Sequence, residues 1–154
     1  ITICMIEIIR TDSKNLDFIE LVSSLDKYLK VMDGDEHQFY NQYNGVESLD
    51  GVVIAYLKGL PLGCGAFKKY ESGTSEIKRM YVRPDKRISG VGSKILKELE
   101  EWLKELDNNK CILETGIKQF EAVNFYKKNN YSLIPNYGQY KGASNSICFE
   151  KKLS

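Results

Sequence analysis

The chain has 154 residues, 42% of them hydrophobic and 28% charged, enough for one domain with a core and too few for two. Its 22 basic and 21 acidic side chains leave a formal net charge of +1, without the basic excess that a nucleic-acid binder uses against phosphates. No apolar run approaches the roughly 18 residues of a membrane-spanning helix, so neither a nucleic acid nor a membrane is expected as a partner.

The opening residues lack the basic start, long apolar stretch and small-residue cleavage site of a signal peptide. Met5 is a candidate native start, with residues 1–4 upstream of it. The four cysteines, Cys4, Cys64, Cys111 and Cys148, form no Cys-x-x-Cys pair. With a single histidine in the chain, no metal site is expected. Cys64, Cys111 and Cys148 sit in apolar strand-like stretches, which predicts buried, reduced thiols and a cytoplasmic protein.

In chain order, Ile3 to Ile9 is short and β-branched and predicts a first strand. Asp12 or Ser13 can cap a helix in which Phe18, Val22, Leu25 and Leu29 recur at helical spacing, ended by Asp33-Gly34-Asp35. A second short helix is predicted from His37 to Tyr43. Val52–Leu57, Leu62–Tyr70 and Ser75–Val82 follow as strands of an antiparallel meander, joined by turns at Lys58–Pro61 and Glu71–Thr74. Pro84 ends the third. Val91, Ile95, Leu99, Trp102, Leu103 and Leu106 form the apolar stripe of a long helix, which Asn108-Asn109 ends. Cys111–Glu114 reads as a buried strand, Gln119–Asn129 as a helix, and Tyr131–Ile134 and Ser146–Lys151 as closing strands. The result is a single mixed α/β domain over residues 1–154.

The junction between the Val82 strand and the following helix carries the clearest chemistry. Arg87-Ile88-Ser89-Gly90-Val91-Gly92 places an arginine and two glycines at a helix start. A helix N-terminus offers unpaired N–H groups and partial positive charge. Glycines there let a ligand approach the backbone, so the loop suits a pyrophosphate, with Arg87 adding a charged contact. The dinucleotide fingerprint fails for want of a third glycine, and Gly92-Ser93-Lys94 does not fit the nucleotide P-loop.

Arg-x-x-Gly-x-Gly after a strand, followed by Ser93-Lys94-Ile95-Leu96, resembles motif A of the GNAT superfamily of N-acetyltransferases. Glu76–Val82 resembles the strand before that motif. Glu121-Ala122-Val123-Asn124-Phe125-Tyr126-Lys127-Lys128-Asn129-Asn130-Tyr131 resembles motif B. Leu113–Gly116 and Ile134–Tyr140 are similar to segments of small bacterial single-domain members. Asn130 stands where motif B usually has glycine, and asparagine tolerates the left-handed conformation. Gln119 stands where many members have an asparagine that contacts the pantetheine arm, and Ile88 replaces a frequent glycine.

The resemblance implies a central, mostly antiparallel twisted sheet flanked by helices, with a splayed cleft between strands 4 and 5. It implies acetyl-CoA as cosubstrate and direct transfer of the acetyl group to a primary amine of a small molecule or peptide. The pantetheine arm would pair with backbone of Met80, Tyr81 and Val82. The pyrophosphate would sit on Arg87, Ile88, Ser89, Gly90, Val91, Gly92 and Ser93, with Gln119 and Asn124 as further coenzyme contacts. Tyr126 matches the family tyrosine near the sulfur and is the candidate acid; Phe125 beside it reads as core. Glu76 matches a catalytic glutamate in part of the family and is the candidate base, directly or through water, with Glu114 as its rival. Strict alternation puts Glu76, Lys78, Met80 and Val82 on one face, although the family strand often carries a bulge that breaks the count. His37, Tyr40, Tyr137 and Tyr140 are the candidate acceptor-binding residues. Small family members often form homodimers. A coenzyme-binding regulatory module with little turnover is the alternative function.

Overall fold

A computed structural model of the chain describes residues 5–34, 48–86 and 90–153. The predicted helix from His37 to Tyr43 lies outside them, as do Cys4, Arg87, Ile88 and Ser89.

The β-branched runs of the sequence build one seven-stranded sheet among the described residues. In chain order the elements are β1 (Ile6–Thr11), α1 (Leu16–Asp33), β2 (Gly51–Leu57), β3 (Leu60–Glu71), β4 (Thr74–Val82), α2 (Val91–Glu105), β5 (Lys110–Gly116), α3 (Phe120–Lys128), β6 (Ser132–Ile134) and β7 (Ser146–Lys152). The strand order is β1-β2-β3-β4-β5-β7-β6. Every pair is antiparallel except β4–β5. A parallel neighbour needs a crossover, and α2 supplies it.

Two apolar layers cover the sheet. On one face, Ile95, Leu96, Leu99 and Leu103 of α2 meet Val53, Leu62, Phe67 and Phe149. On the other, Phe18, Leu21 and Val22 of α1 meet Val52, Ile54, Cys64 and Ala66. Neighbouring β2 residues thus serve opposite cores, as strand alternation requires. The α2 stripe stops at Leu103, because Leu106 is the C-cap and 53% exposed. Helix α1 is capped later than expected. Asn15, not Asp12 or Ser13, accepts from the N–H groups of Asp17 and Phe18 at 2.9 and 3.1 Å. Asp12 instead accepts from the Lys14 N–H at 2.9 Å, turning the chain from β1 into the cap. Among the described residues, no helix is long and apolar enough to cross a membrane. Cys64, Cys111 and Cys148 are buried, unbridged thiols.

One irregularity in β4 positions the site. Cys64 pairs with Tyr81, but Ala66 pairs with Lys78, so β4 carries an extra residue. Arg79 absorbs it in the left-handed region at φ 58°. Strict alternation therefore fails. Lys78, opposite Ala66, and Tyr81 serve the α1 face, with Glu76 in step with Lys78. Met80 and Val82 pack against the α2 core instead.

Candidate active site

The parallel pairing of β4 with β5 covers only Thr74, Ser75 and Glu76 against Lys110, Cys111 and Ile112. Strand β5 continues beside β7 as far as Gly116 opposite Ser146, so the two central strands separate beyond Glu76. The separation leaves an open edge on β4. Arg83 donates its N–H to the Leu62 carbonyl on β3 at 2.9 Å. Backbone alternation then turns the Val82 N–H toward the opening. The resulting cleft has a volume of about 350 Å³ and is walled by Met80–Val82, Gly90–Ser93, Phe125 and Tyr126. A smaller cavity of about 110 Å³ adjoins it and shares Leu25, Met80, Gln119, Ala122 and Tyr126.

At the lip of the cleft stands the N-terminus of α2. Gly90 is its N-cap at φ 85° and ψ 1°, a conformation that suits glycine. Among the described residues no side chain caps this end, and no acidic residue lies in its first turn. Its leading N–H groups and positive dipole end are therefore directed at the cleft without internal competition. Gly92 lines the cleft and serves packing as well. A Cβ there would come within 3.1 Å of the Phe125 ring, so glycine lets α3 pack against α2. Phe125 is half-buried and walls the cleft instead of lying wholly in the core.

Tyr126 is held by the end of its own helix. Asn130 adopts φ 72°, the left-handed conformation the sequence anticipates. Tyr131 then donates its N–H to the Tyr126 carbonyl and Asn130 to the Lys127 carbonyl, at 3.0 and 3.1 Å. These two bonds form a Schellman closure. The Tyr126 ring packs on Tyr131 and Phe149 at 5.7 and 6.0 Å between centroids. Tyr126 is 7% exposed and lines both cavities. Burial, and secondarily Glu114, push its hydroxyl well above the ordinary tyrosine value, so it keeps its proton.

The smaller cavity is polar. Glu76, 6% exposed, accepts a 2.6 Å hydrogen bond from the Tyr137 hydroxyl, and the Lys78 ammonium lies 3.7 Å away. Burial lowers the Lys78 pKa, and Glu76 opposes that shift. Burial and the Glu76 carboxylate hold Tyr137 protonated, so it acts as donor. Glu114 lines the same cavity and accepts from Ser146 Oγ at 2.8 Å. Tyr140, 3% exposed, closes the floor, and burial followed by Glu114 raises its pKa too.

Most sequence candidates converge here: Glu76, Met80, Tyr81, Val82, Gly90, Val91, Gly92, Ser93, Gln119, Tyr126 and Tyr140 line one cavity or both. Tyr137 reaches the site through Glu76. Asn124 does not converge; it lies on the exposed face of α3, outside both linings. His37, Tyr40, Arg87, Ile88 and Ser89 lie outside the described residues. The sequence reading missed Leu25 and Tyr28 of α1 as wall residues and did not single out Arg79. Two adjacent cations, Lys78 and Arg79, inside a strand of a central sheet were the available signal.

An open strand edge, an uncapped helix N-terminus and a polar cavity beneath them define a site for an extended anionic ligand beside a smaller one. The model of the Acetyltransferase (GNAT) family matches residues 18–131, and the chain belongs to that family. It is 28% identical over 137 residues to a protein named IAA acetyltransferase from Azospirillum brasilense, covering 88% of this chain and 90% of that one. A structure described as an acyl-CoA N-acyltransferase from Klebsiella pneumoniae superposes with a TM-score of 0.82 at 28% identity, covering 97% and 99% of the two chains. A protein described as a streptothricin acetyltransferase from Bacillus anthracis, solved with acetyl coenzyme A, gives 0.61 at 25% identity over 75% of this chain and 68% of that one.

Proposed function

We propose that the chain transfers the acetyl group of acetyl-CoA directly to a primary amine of a small molecule or peptide. The observation that carries this reading is the shared position of Glu76 and Tyr126 on one cavity at the split between β4 and β5. The donor fits what is present: an extended arm can add to the open edge at Met80–Val82, and a pyrophosphate can meet the uncapped first turn of α2. The coenzyme supplies the acetyl thioester; the rest is done by the protein. An ammonium has no lone pair, so the acceptor must lose a proton first, and the buried Glu76 carboxylate takes it directly or through a water. Tyr137 fixes Glu76 by its 2.6 Å bond. The Val82 N–H stabilises negative charge developing on the thioester oxygen. Tyr126 hydrogen-bonds the departing sulfur. Burial keeps that hydroxyl protonated until then, and it gives its proton to the sulfur as the C–S bond breaks.

The test is release of free thiol from acetyl-CoA by the purified protein across a panel of amines. Acceptor-dependent release is the expected result. Tight coenzyme binding without release for any amine class would replace this reading with a coenzyme-binding module.

A further inference from the structure

We infer that the acceptor carries a carboxylate beside its amine and that Arg79 recognises that carboxylate, an inference that rests on the acetyltransfer reading above. Arg79 is 5% exposed and lines the smaller cavity. Its Nη2 donates to Asp26 of α1 at 2.5 Å. Its Nε and Nη1 are buried and have no hydrogen-bond partner among the described residues. Guanidinium donors carry a permanent charge and cannot shed a proton to escape, so two orphaned nitrogens in one buried side chain call for an occupant. Asp26 does not neutralise the group fully, since its carboxylate is 42% exposed and hydrated.

The charge pattern selects the anion. Glu76 and Glu114 line the cavity with Lys78 and Arg79, two carboxylates against two cations. The carboxylates suit the amine end of an acceptor, and the cations suit one anionic end. A phosphate dianion would place its second charge against Glu76 and Glu114. The volume of about 110 Å³ also favours a compact head, in which amine and carboxylate are a few bonds apart. The geometry thus points to an amino acid or a close analogue.

The test pairs each of the twenty common amino acids with its own carboxamide in the thiol-release assay. The carboxamide has the less basic amine and would otherwise react more readily. For the best pair the acid should have at least a tenfold higher kcat/KM, and Arg79→Lys, which keeps a cation for Asp26, should shrink that ratio below threefold. In parallel, the Arg79 Nε–H resonance of the coenzyme-loaded protein, assigned by its loss in Arg79→Lys, should shift with the amino acid and not with its amide. A shift with the acid alone, but no thiol release with any amine, would keep the carboxylate site and sink the acetyltransfer reading. Equal turnover of acids and amides with an unmoved Nε–H would overturn the carboxylate site and leave acetyltransfer standing. Neither turnover nor a shift would overturn both.

Discussion

Replacing Tyr126 with phenylalanine separates the chemistry of this site from its stability. The ring keeps its contacts with Phe125, Tyr131 and Phe149, at centroid distances of 5.2, 5.7 and 6.0 Å. No described residue hydrogen-bonds the hydroxyl, so its removal leaves no buried group unpaired. The stability change should stay below about 1 kcal/mol, which for a chain of this size is a Tm change within about 2–4 °C. General acid catalysis is worth about 10²–10⁴-fold, so kcat should fall at least about a hundredfold, or about 2.7 kcal/mol of barrier. Coenzyme affinity, proposed above to be set at Met80–Val82 and the start of α2, should change less than about threefold, which is under about 0.7 kcal/mol. Differential scanning calorimetry, coenzyme titration and single-turnover thiol release measure the three quantities. Undiminished single-turnover rate would return Tyr126 to the role of a core aromatic. A rate loss accompanied by a Tm drop far outside that window would show the hydroxyl to be structural.

Three further outcomes follow from the same geometry. Glu76→Gln retains an oxygen to accept from Tyr137 but no base, so kcat/KM should drop about 10²–10⁴-fold in a thiol-release assay; a larger loss for Glu114→Gln would move the base to Glu114. Gly90→Glu puts a carboxylate at the helix N-terminus and a bulky residue at φ 85°, so calorimetry should show at least about a tenfold loss of coenzyme affinity. Gly90→Asn tolerates the left-handed backbone and should bind nearly normally; equal affinity for the Glu variant would remove α2 from the coenzyme site. Burial raises Cys64, and likewise Cys111, from 9.0 to about 12. The native state then holds protons that the unfolded chain releases, so this stabilisation is full below pH 9 and is lost as pH rises toward 12, at up to about 1.4 kcal/mol per pH unit for each thiol. Denaturant melts at pH 8, 9, 10 and 11 should decline accordingly, and a flat profile for wild type with a sloping one for Cys64→Ala would reverse the reasoning.

Local signals made much of this protein legible before its structure. The stripe from Val91 to Leu103 could only be an amphipathic helix, because its period matches 3.6 residues and its opposite face is charged. Asn130 at a helix end announced a left-handed closure, and the closure is there. Gly90 at a strand-to-helix junction announced an uncapped N-terminus. The resemblance of Glu76–Val82 and Glu121–Tyr131 to two family motifs brought Glu76 and Tyr126 to one cleft, which periodicity alone does not do.

What stayed hidden depends on contacts between distant segments. Gly92 reads as a ligand-facing glycine, and its packing duty shows only when Phe125, 33 positions on, is seen against it. Leu25 reads as ordinary core of α1, yet the split in the sheet exposes it to both cavities. Which face each residue of β4 serves depends on the extra residue at Arg79, and a bulge is set by pairing with β3 rather than by local preference. Composition, periodicity and motif order therefore determined most of the elements and the family, because those rest on interactions a few residues apart. Tertiary structure alone decided that Glu76, Lys78, Arg79 and Glu114 share one small cavity, since β4 and β5 stop pairing after Glu76 and the bulge carries Arg79 to the α1 side.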